Sequence, residues 1–269
     1  MAKSITVGTA HSTTPGRIKG TLKIAETPDG SPCDIPVVIV QGEKDGPTLW
    51  LHGCVHGNEY CGTYVIHEFL RGLDHGALAG SVVALPVLNK LAFQAKQRMS
   101  PYEGFHGGDL NRQFPGDPNG TQTQQMAHAI YEPLKRHADV LVDFHTALTP
   151  DVRWALFPNA GGKVGALSEK VARAFGFNST LPAPTNILAG SAMMTAAKDG
   201  IASYLGCINY FENNLACAPG LASTFGELGI LFIFLSFITY PIGLILLAIA
   251  AIVATVRRRR GAIKQVRKL

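Results

Sequence analysis

The sequence predicts an α/β protein with a mixed, mostly parallel sheet flanked by helices. Three observations carry that expectation. Short apolar runs of strand length alternate with segments whose apolar residues repeat at helical spacing. Polar clusters rich in histidine, glycine and asparagine stand just after several of those runs, where open α/β sheets place their sites. The chain has 269 residues, 46% of them hydrophobic, which is ample for one large domain and too apolar for a disordered one.

Taken in order, residues 1–47 alternate turn clusters with β-type runs, of which Ile35–Val40 is the clearest. Thr48–Leu51 reads as the first strand of the main sheet. Residues 60–71 follow as a helix, with Tyr64, Val65, Phe69 and Leu70 on one face. Ser81–Leu88 is a second strand, Gln122–His137 a helix, and Val140–Phe144 a third strand with the unbroken apolar character of a buried parallel strand. Trp154–Phe157 adds a strand and Val164–Phe175 a helix. Such alternation implies parallel strands joined by helical crossovers.

The C-terminus is different material. Leu228–Val256 holds 29 residues without a charge, followed by Arg257–Arg260. As a helix it would run ~43 Å, longer than the ~30 Å of a bilayer core, with a kink at Pro241. The sequence therefore predicts a membrane-lipid-binding segment over 228–256 and a basic tail over 257–269.

The net charge of +5 comes from that tail, which carries seven basic residues; residues 1–256 hold 17 basic and 19 acidic residues, a net of −2. A body without excess positive charge argues against nucleic acid as a partner. Five cysteines without a C-x-x-C pair, and an N-terminus lacking the apolar run of a secretory signal, predict a cytoplasmic domain, membrane-associated through its tail.

Three clusters carry the chemistry. His52-Gly53-Cys54-Val55-His56-Gly57-Asn58-Glu59 follows the first strand, Asp109-Leu110-Asn111-Arg112-Gln113-Phe114-Pro115-Gly116 comes after the second, and Asp143-Phe144-His145-Thr146 ends the third. His56 and Glu59 can converge from a loop-to-helix junction, and His145 arrives from a separate strand. Two imidazoles and a carboxylate are the ligand set of a catalytic zinc with a position open for water. Gly53 and Gly57 read as turn-makers that aim both side chains inward.

With these motifs the chain resembles the succinylglutamate desuccinylase and aspartoacylase family of zinc hydrolases, related to zinc carboxypeptidases, over roughly residues 10–205. The resemblance implies a carboxypeptidase-like sheet and one zinc ion bound by His56, Glu59 and His145. It implies that Asn111 and Arg112 hold a substrate carboxylate and that Arg98 polarises the scissile carbonyl. The implied activity is amide hydrolysis of N-acyl amino acids or similar small carboxylate-bearing substrates.

One departure follows. The family's general-base glutamate is expected on a strand approached by Lys198–Leu205, at about Cys207, where the chain runs Gly206-Cys207-Ile208-Asn209. The resemblance thus implies a truncated fold: a zinc hydrolase-like catalytic domain over 1–205, then a linker over 206–227 and the hydrophobic segment. Glu212 or Glu227 are the remaining candidates for the base. The alternative reading is a catalytically impaired zinc- and carboxylate-binding domain tethered to a membrane.

Other features read as structural. His67-Glu68 would open an H-E-x-x-H zinc motif, but Arg71 stands at its closing position. Cys54 and Cys61 read as small packing residues, and Asn159–Lys163 as a turn.

Overall fold

A hairpin of β1 (Ile5–Val7) and β2 (Ala10–Ser12) precedes an eight-stranded sheet. Its strands are β3 (Gly16–Glu26), β4 (Pro32–Gln41), β5 (Lys44–His52), β6 (Ala79–Leu85), β7 (Val140–His145), β8 (Trp154–Phe157), β9 (Ser179–Pro182) and β10 (Ala202–Cys207). The helices are α1 (Cys61–Gly72), α2 (Lys90–Gln94), α3 (Gln122–His137), α4 (Gly162–Ala174) and α5 (Ala192–Lys198), with a 3-10 turn at Leu110–Arg112. The structure is a computed structural model and describes residues 3–207 apart from 105, 106, 147–153, 178, 185 and 187.

The strand order is β3-β4-β6-β5-β7-β10-β8-β9. The centre, β6-β5-β7-β10, is parallel, and β8-β9 is parallel again. The pairs β3-β4, β4-β6 and β10-β8 are antiparallel, so the sheet is mixed. The long antiparallel flank arises from the N-terminal β-type runs, whose strands need only a tight turn through Thr27 to Ser31 to pair.

Side-chain alternation divides the core into two layers. On one face Trp50, Val83, Leu85 and Leu141 pack against Met126, Ile130, Tyr131 and Leu134 of α3 and Ala192 and Ala196 of α5. On the other, Leu49, Leu51, Val142, Phe144 and Tyr204 pack against Val65, Ile66 and Leu70 of α1, Val171 of α4 and Phe175 just after it. His52, Asp143 and His145 lie two-residue steps from Trp50 and Leu141 and so share the first face.

Several elements differ from expectation in detail. The second strand ends at Leu85 rather than Leu88, because Pro86 offers no N–H to the ladder and Leu88 N turns to Gly53 O at 2.9 Å. Asn159–Lys163 is not a free turn: Gly161 and Gly162, at φ of 67° and 57°, open α4. The helix Gln122–His137 starts on a capping box between Thr121 and Gln124, as its polar entry requires.

Among the described residues no helix is long and apolar enough to cross a membrane. The predicted segments 208–227, 228–256 and 257–269, with the base candidates Glu212 and Glu227, lie outside the described residues.

Candidate metal centre

The loop after β5 is fixed before its side chains are considered. Leu88 N and Asn89 N bond to the carbonyls of Gly53 and Cys54, and Gly57 N bonds to Arg98 O at 3.1 Å. The segment that carries Arg98 is thereby stitched along the loop that carries His56. Gly53 and Gly57 do not act as the expected turn-makers. The left-handed residue is Cys54, at φ 53°. The glycines permit close approach: a Cβ on Gly57 would lie 2.1 Å from the carbonyl carbon of Ala92, and one on Gly53 would lie 2.6 Å from Pro86 O.

His56, Glu59 and His145 converge as the sequence predicts. Their ligand-type atoms lie within 4.8 Å of one another, and all three residues are buried. His56 Nδ1 is 2.9 Å from Glu59 Oε1, and His145 Nδ1 is 2.9 Å from Glu59 Oε2. Each imidazole turns its other nitrogen to an aspartate. His56 Nε2 is 3.1 Å from Asp109 Oδ1, and His145 Nε2 is 3.4 Å from Asp143 Oδ2. A carboxylate behind the far nitrogen takes an N–H, and with a metal ion bound this would leave the near nitrogen as a lone pair, the orientation a ligand needs.

His145 Nε2 has a second neighbour of opposite demand, the Asn111 amide nitrogen at 3.3 Å. Asn111 Oδ1 is occupied by Ala192 N at 3.2 Å, which fixes the amide nitrogen toward the ring. The aspartate prevails, because an N–H gives more to a buried anion than a ring nitrogen gains from an amide.

The electrostatics call for a cation. Burial alone would raise the Glu59 carboxyl, yet His145 and His56 hold it far below the usual carboxylate range. Burial also lowers His145, but Asp143 and Glu59 override it and push it up to about 10. Asp109 is likewise lowered: burial would raise it, but His56, Arg112 and Arg98 together outweigh burial. Three carboxylates around two imidazoles form a pocket that favours positive charge. The donor set supplies the test of fit: Nδ1 of His56 and Nδ1 of His145 each lie 2.9 Å from a Glu59 carboxylate oxygen in the buried cluster, so two imidazole nitrogens and a carboxylate face one point, as a metal ion requires.

The residues assigned by resemblance fall around this cluster. Arg98 donates from Nη1 to Glu59 Oε1 at 2.5 Å, with its side chain 40% exposed, so it borders both the ligands and solvent. Asn111 is buried and tied to Ala192, with its amide nitrogen beside the His145 ring. Half-buried Arg112 donates to Asn111 O at 2.8 Å. Gly190, at φ 77°, lets the chain pass so close to Arg112 O that a Cβ would lie 2.3 Å away.

The residues set aside keep structural roles. Glu68 pairs with Arg71 at 2.8 Å on an exposed face of α1. The Cys54 thiol is pushed up to about 11, chiefly by burial, and Cys61 is raised in the same way, so neither is a ready thiolate. Asp109, Asp143 and the Thr146 N–H, which donates to Glu59 Oε2 at 2.9 Å, were not predicted as site residues. The two aspartates were legible in principle, since Asp143 and His145 stand at i and i+2 on a strand and so share a face.

Known proteins give the family and the fold. The family model for the succinylglutamate desuccinylase/aspartoacylase catalytic domain matches residues 45–180, which hold all three candidate ligands. The N-alpha-acetyl-L-2,4-diaminobutyric acid deacetylase of Halomonas elongata is 38% identical over 112 residues, which are 42% of this chain and 32% of that protein. A succinylglutamate desuccinylase/aspartoacylase from Rhodobacter sphaeroides superposes with a TM-score of 0.69 at 28% identity, covering 80% of this chain and 66% of that one. The product-bound ectoine utilization protein EutE (DoeB) of Ruegeria pomeroyi gives 0.72 at 26% identity, covering 85% and 70%. A metallo-carboxypeptidase from Burkholderia cenocepacia shares the fold, with a TM-score of 0.56 at 13% identity over 80% of this chain and 62% of that one. The chain thus spans about a third of the curated relative and just under two thirds of the first solved structure. On this match and this arrangement of motifs, the chain belongs to the succinylglutamate desuccinylase/aspartoacylase family.

Proposed function

We propose that the protein is a zinc-dependent hydrolase that cleaves the amide bond of an N-acyl amino acid. The observation that carries the reading is the convergence of His56, Glu59 and His145, each imidazole backed by its own aspartate. One zinc ion per chain, held by these three residues, would supply Lewis acidity and bring the pKa of a water down to about 7.

The chain's own groups divide the remaining work. Asp109 and Asp143 keep the two imidazoles in the tautomer that leaves Nδ1 free. Arg98, bonded to Glu59 yet partly open to solvent, stands where a guanidinium can receive the carbonyl oxygen as charge develops on it, an effect typically worth ~3–4 kcal/mol. Arg112 receives the substrate carboxylate as a bidentate partner, and Asn111 holds the wall on which Arg112 sits. The Halomonas relative points to N-acetylated diamino acids as the first substrates to try.

A second reading, a metal- and carboxylate-binding domain with little turnover, is favoured by one observation. Cys207 ends β10 where the family resemblance expects a carboxylate base. From the sequence alone we further propose that residues 1–205 form the catalytic domain in the cytoplasm and that 206–227 link it to a membrane segment at 228–256 and a basic tail at 257–269. Sedimentation of the full chain with membranes, resistant to high salt, tests the tail; recovery without detergent in the soluble fraction overturns it.

The activity test is hydrolysis of N-alpha-acetyl-2,4-diaminobutyrate and a panel of N-acyl amino acids by the full chain. Turnover that chelation abolishes, zinc restores and His145→Ala lacks supports the hydrolase. A protein that binds zinc stoichiometrically but turns over none of the panel supports the second reading. Full zinc occupancy in His145→Ala overturns the ligand assignment.

A further inference from the structure

Behind the ligand cluster lies a buried polar chain that the proposed chemistry does not use. Trp50 Nε1 donates to His52 Nε2 at 2.9 Å. An indole N–H can only donate, so Nε2 of His52 accepts and its proton sits on Nδ1. Among the described residues that Nδ1 has no hydrogen-bond partner, although His52 is fully buried. Asp143 Oδ1, also buried, lacks one as well. His52 and Asp143 are register partners in the parallel β5–β7 ladder, so their side chains stand side by side on one face. One is a donor and the other an acceptor, and a buried polar group left unpaired is destabilising. The other Asp143 oxygen faces His145 Nε2.

We propose that His52 is a positioning residue for the metal ligand His145. Its Nδ1–H, fixed by Trp50, is relayed to Asp143 Oδ1 through one buried water. The carboxylate is then pinned with Oδ2 on His145 Nε2–H, and His145 Nδ1 is presented to the ion. The chain Trp50–His52–Asp143–His145 is thus a third layer of orientation behind the metal site. This inference rests on the proposed zinc site.

The test measures zinc affinity by chelator competition and the His52 ring by nitrogen-15 NMR, on the full chain. Removing a residue that orients a metal ligand typically weakens metal binding by about 10–100-fold. His52→Leu should therefore bind zinc about tenfold more weakly. His52→Asn, which can still donate to Asp143, should stay within about threefold of the parent. In the parent the spectrum should show His52 neutral and protonated at Nδ1, and Trp50→Phe should mix the two tautomers. If His52→Leu is folded and binds zinc like the parent, the role is wrong. If His52→Leu does not fold, a His52→Asn loss as large as that of Asp143→Ala, or an Nε2-protonated ring in the parent, overturns it equally. Failure of the parent to bind zinc would instead overturn the metal reading, while the ring spectrum still reports on the hydrogen-bond chain.

Discussion

Cys207 at the end of β10 is the register partner of His145 at the end of β7. Partners on neighbouring parallel strands point to the same face ~4.8 Å apart, so the thiol stands beside a metal ligand rather than at a remote position. This is the position to which the family resemblance assigns a carboxylate base. A positioned general base contributes ~10²–10⁴-fold. Cys207→Glu should therefore raise kcat at least about tenfold on an N-acyl amino acid, with KM little changed. A folded, zinc-loaded Cys207→Glu with no gain would show that the proton acceptor comes from elsewhere.

The ligand set was legible because two of its members are local. His56 and Glu59 are three residues apart, and His145 follows an unmistakable buried strand. The orientation of those ligands was not legible. Asp109 reaches His56 across 53 positions, and His52 meets Asp143 only through a strand register that no local pattern encodes. The role of the metal-loop glycines is illegible for the same reason. Gly57 matters because α2 passes against it, and which segment passes there is tertiary information.

That close approach is testable. An alanine at position 57 would place its Cβ 2.1–2.5 Å from backbone atoms of Ala92 and Phe93, which cannot yield as a side chain would. Overpacking of this kind costs ~1–3 kcal/mol, and in a domain of this size each kcal/mol lowers Tm by roughly 2–4 °C. Gly57→Ala should lose several degrees in thermal melts and bind zinc more weakly, since His56 and Glu59 flank the shifted backbone. A variant with parental Tm and affinity would mean the loop has slack.

Acid should destabilise the protein through His52. Burial lowers this imidazole from the ordinary 6.5 to about 4, outweighing the opposing pull of Asp143, while His145 adds to the lowering. Between those values the unfolded chain binds a proton that the folded chain refuses, so stability rises with pH. The contribution is complete above pH 6.5, is lost as pH falls toward 4, and amounts to ~3 kcal/mol. Denaturant titrations at pH 7 and pH 4 should show the parent losing about that much more than His52→Asn, in which nothing titrates at position 52. Equal losses in the two proteins would show that His52 is charged, or exposed, in the folded state.

The two arginines should separate in kinetics. Arg112 is proposed to clamp a carboxylate that is present in ground state and transition state alike, so weakening the clamp acts on binding. Arg112→Lys keeps the charge but loses the planar fork, and should raise KM about tenfold with kcat within about twofold. Arg98 is proposed to meet charge that develops only during the reaction. Arg98→Ala should lower kcat about 10²–10³-fold, the loss typical of one oxyanion donor. Because Arg98 also bonds Glu59, its removal can disturb the metal ligand, and zinc content must be measured alongside. A kcat loss at full zinc occupancy supports the role on the carbonyl; a loss that tracks missing zinc assigns Arg98 to holding Glu59 instead. An Arg112→Lys protein that discriminates as well as the parent between an N-acyl amino acid and its amide-capped analogue would remove the clamp from the site.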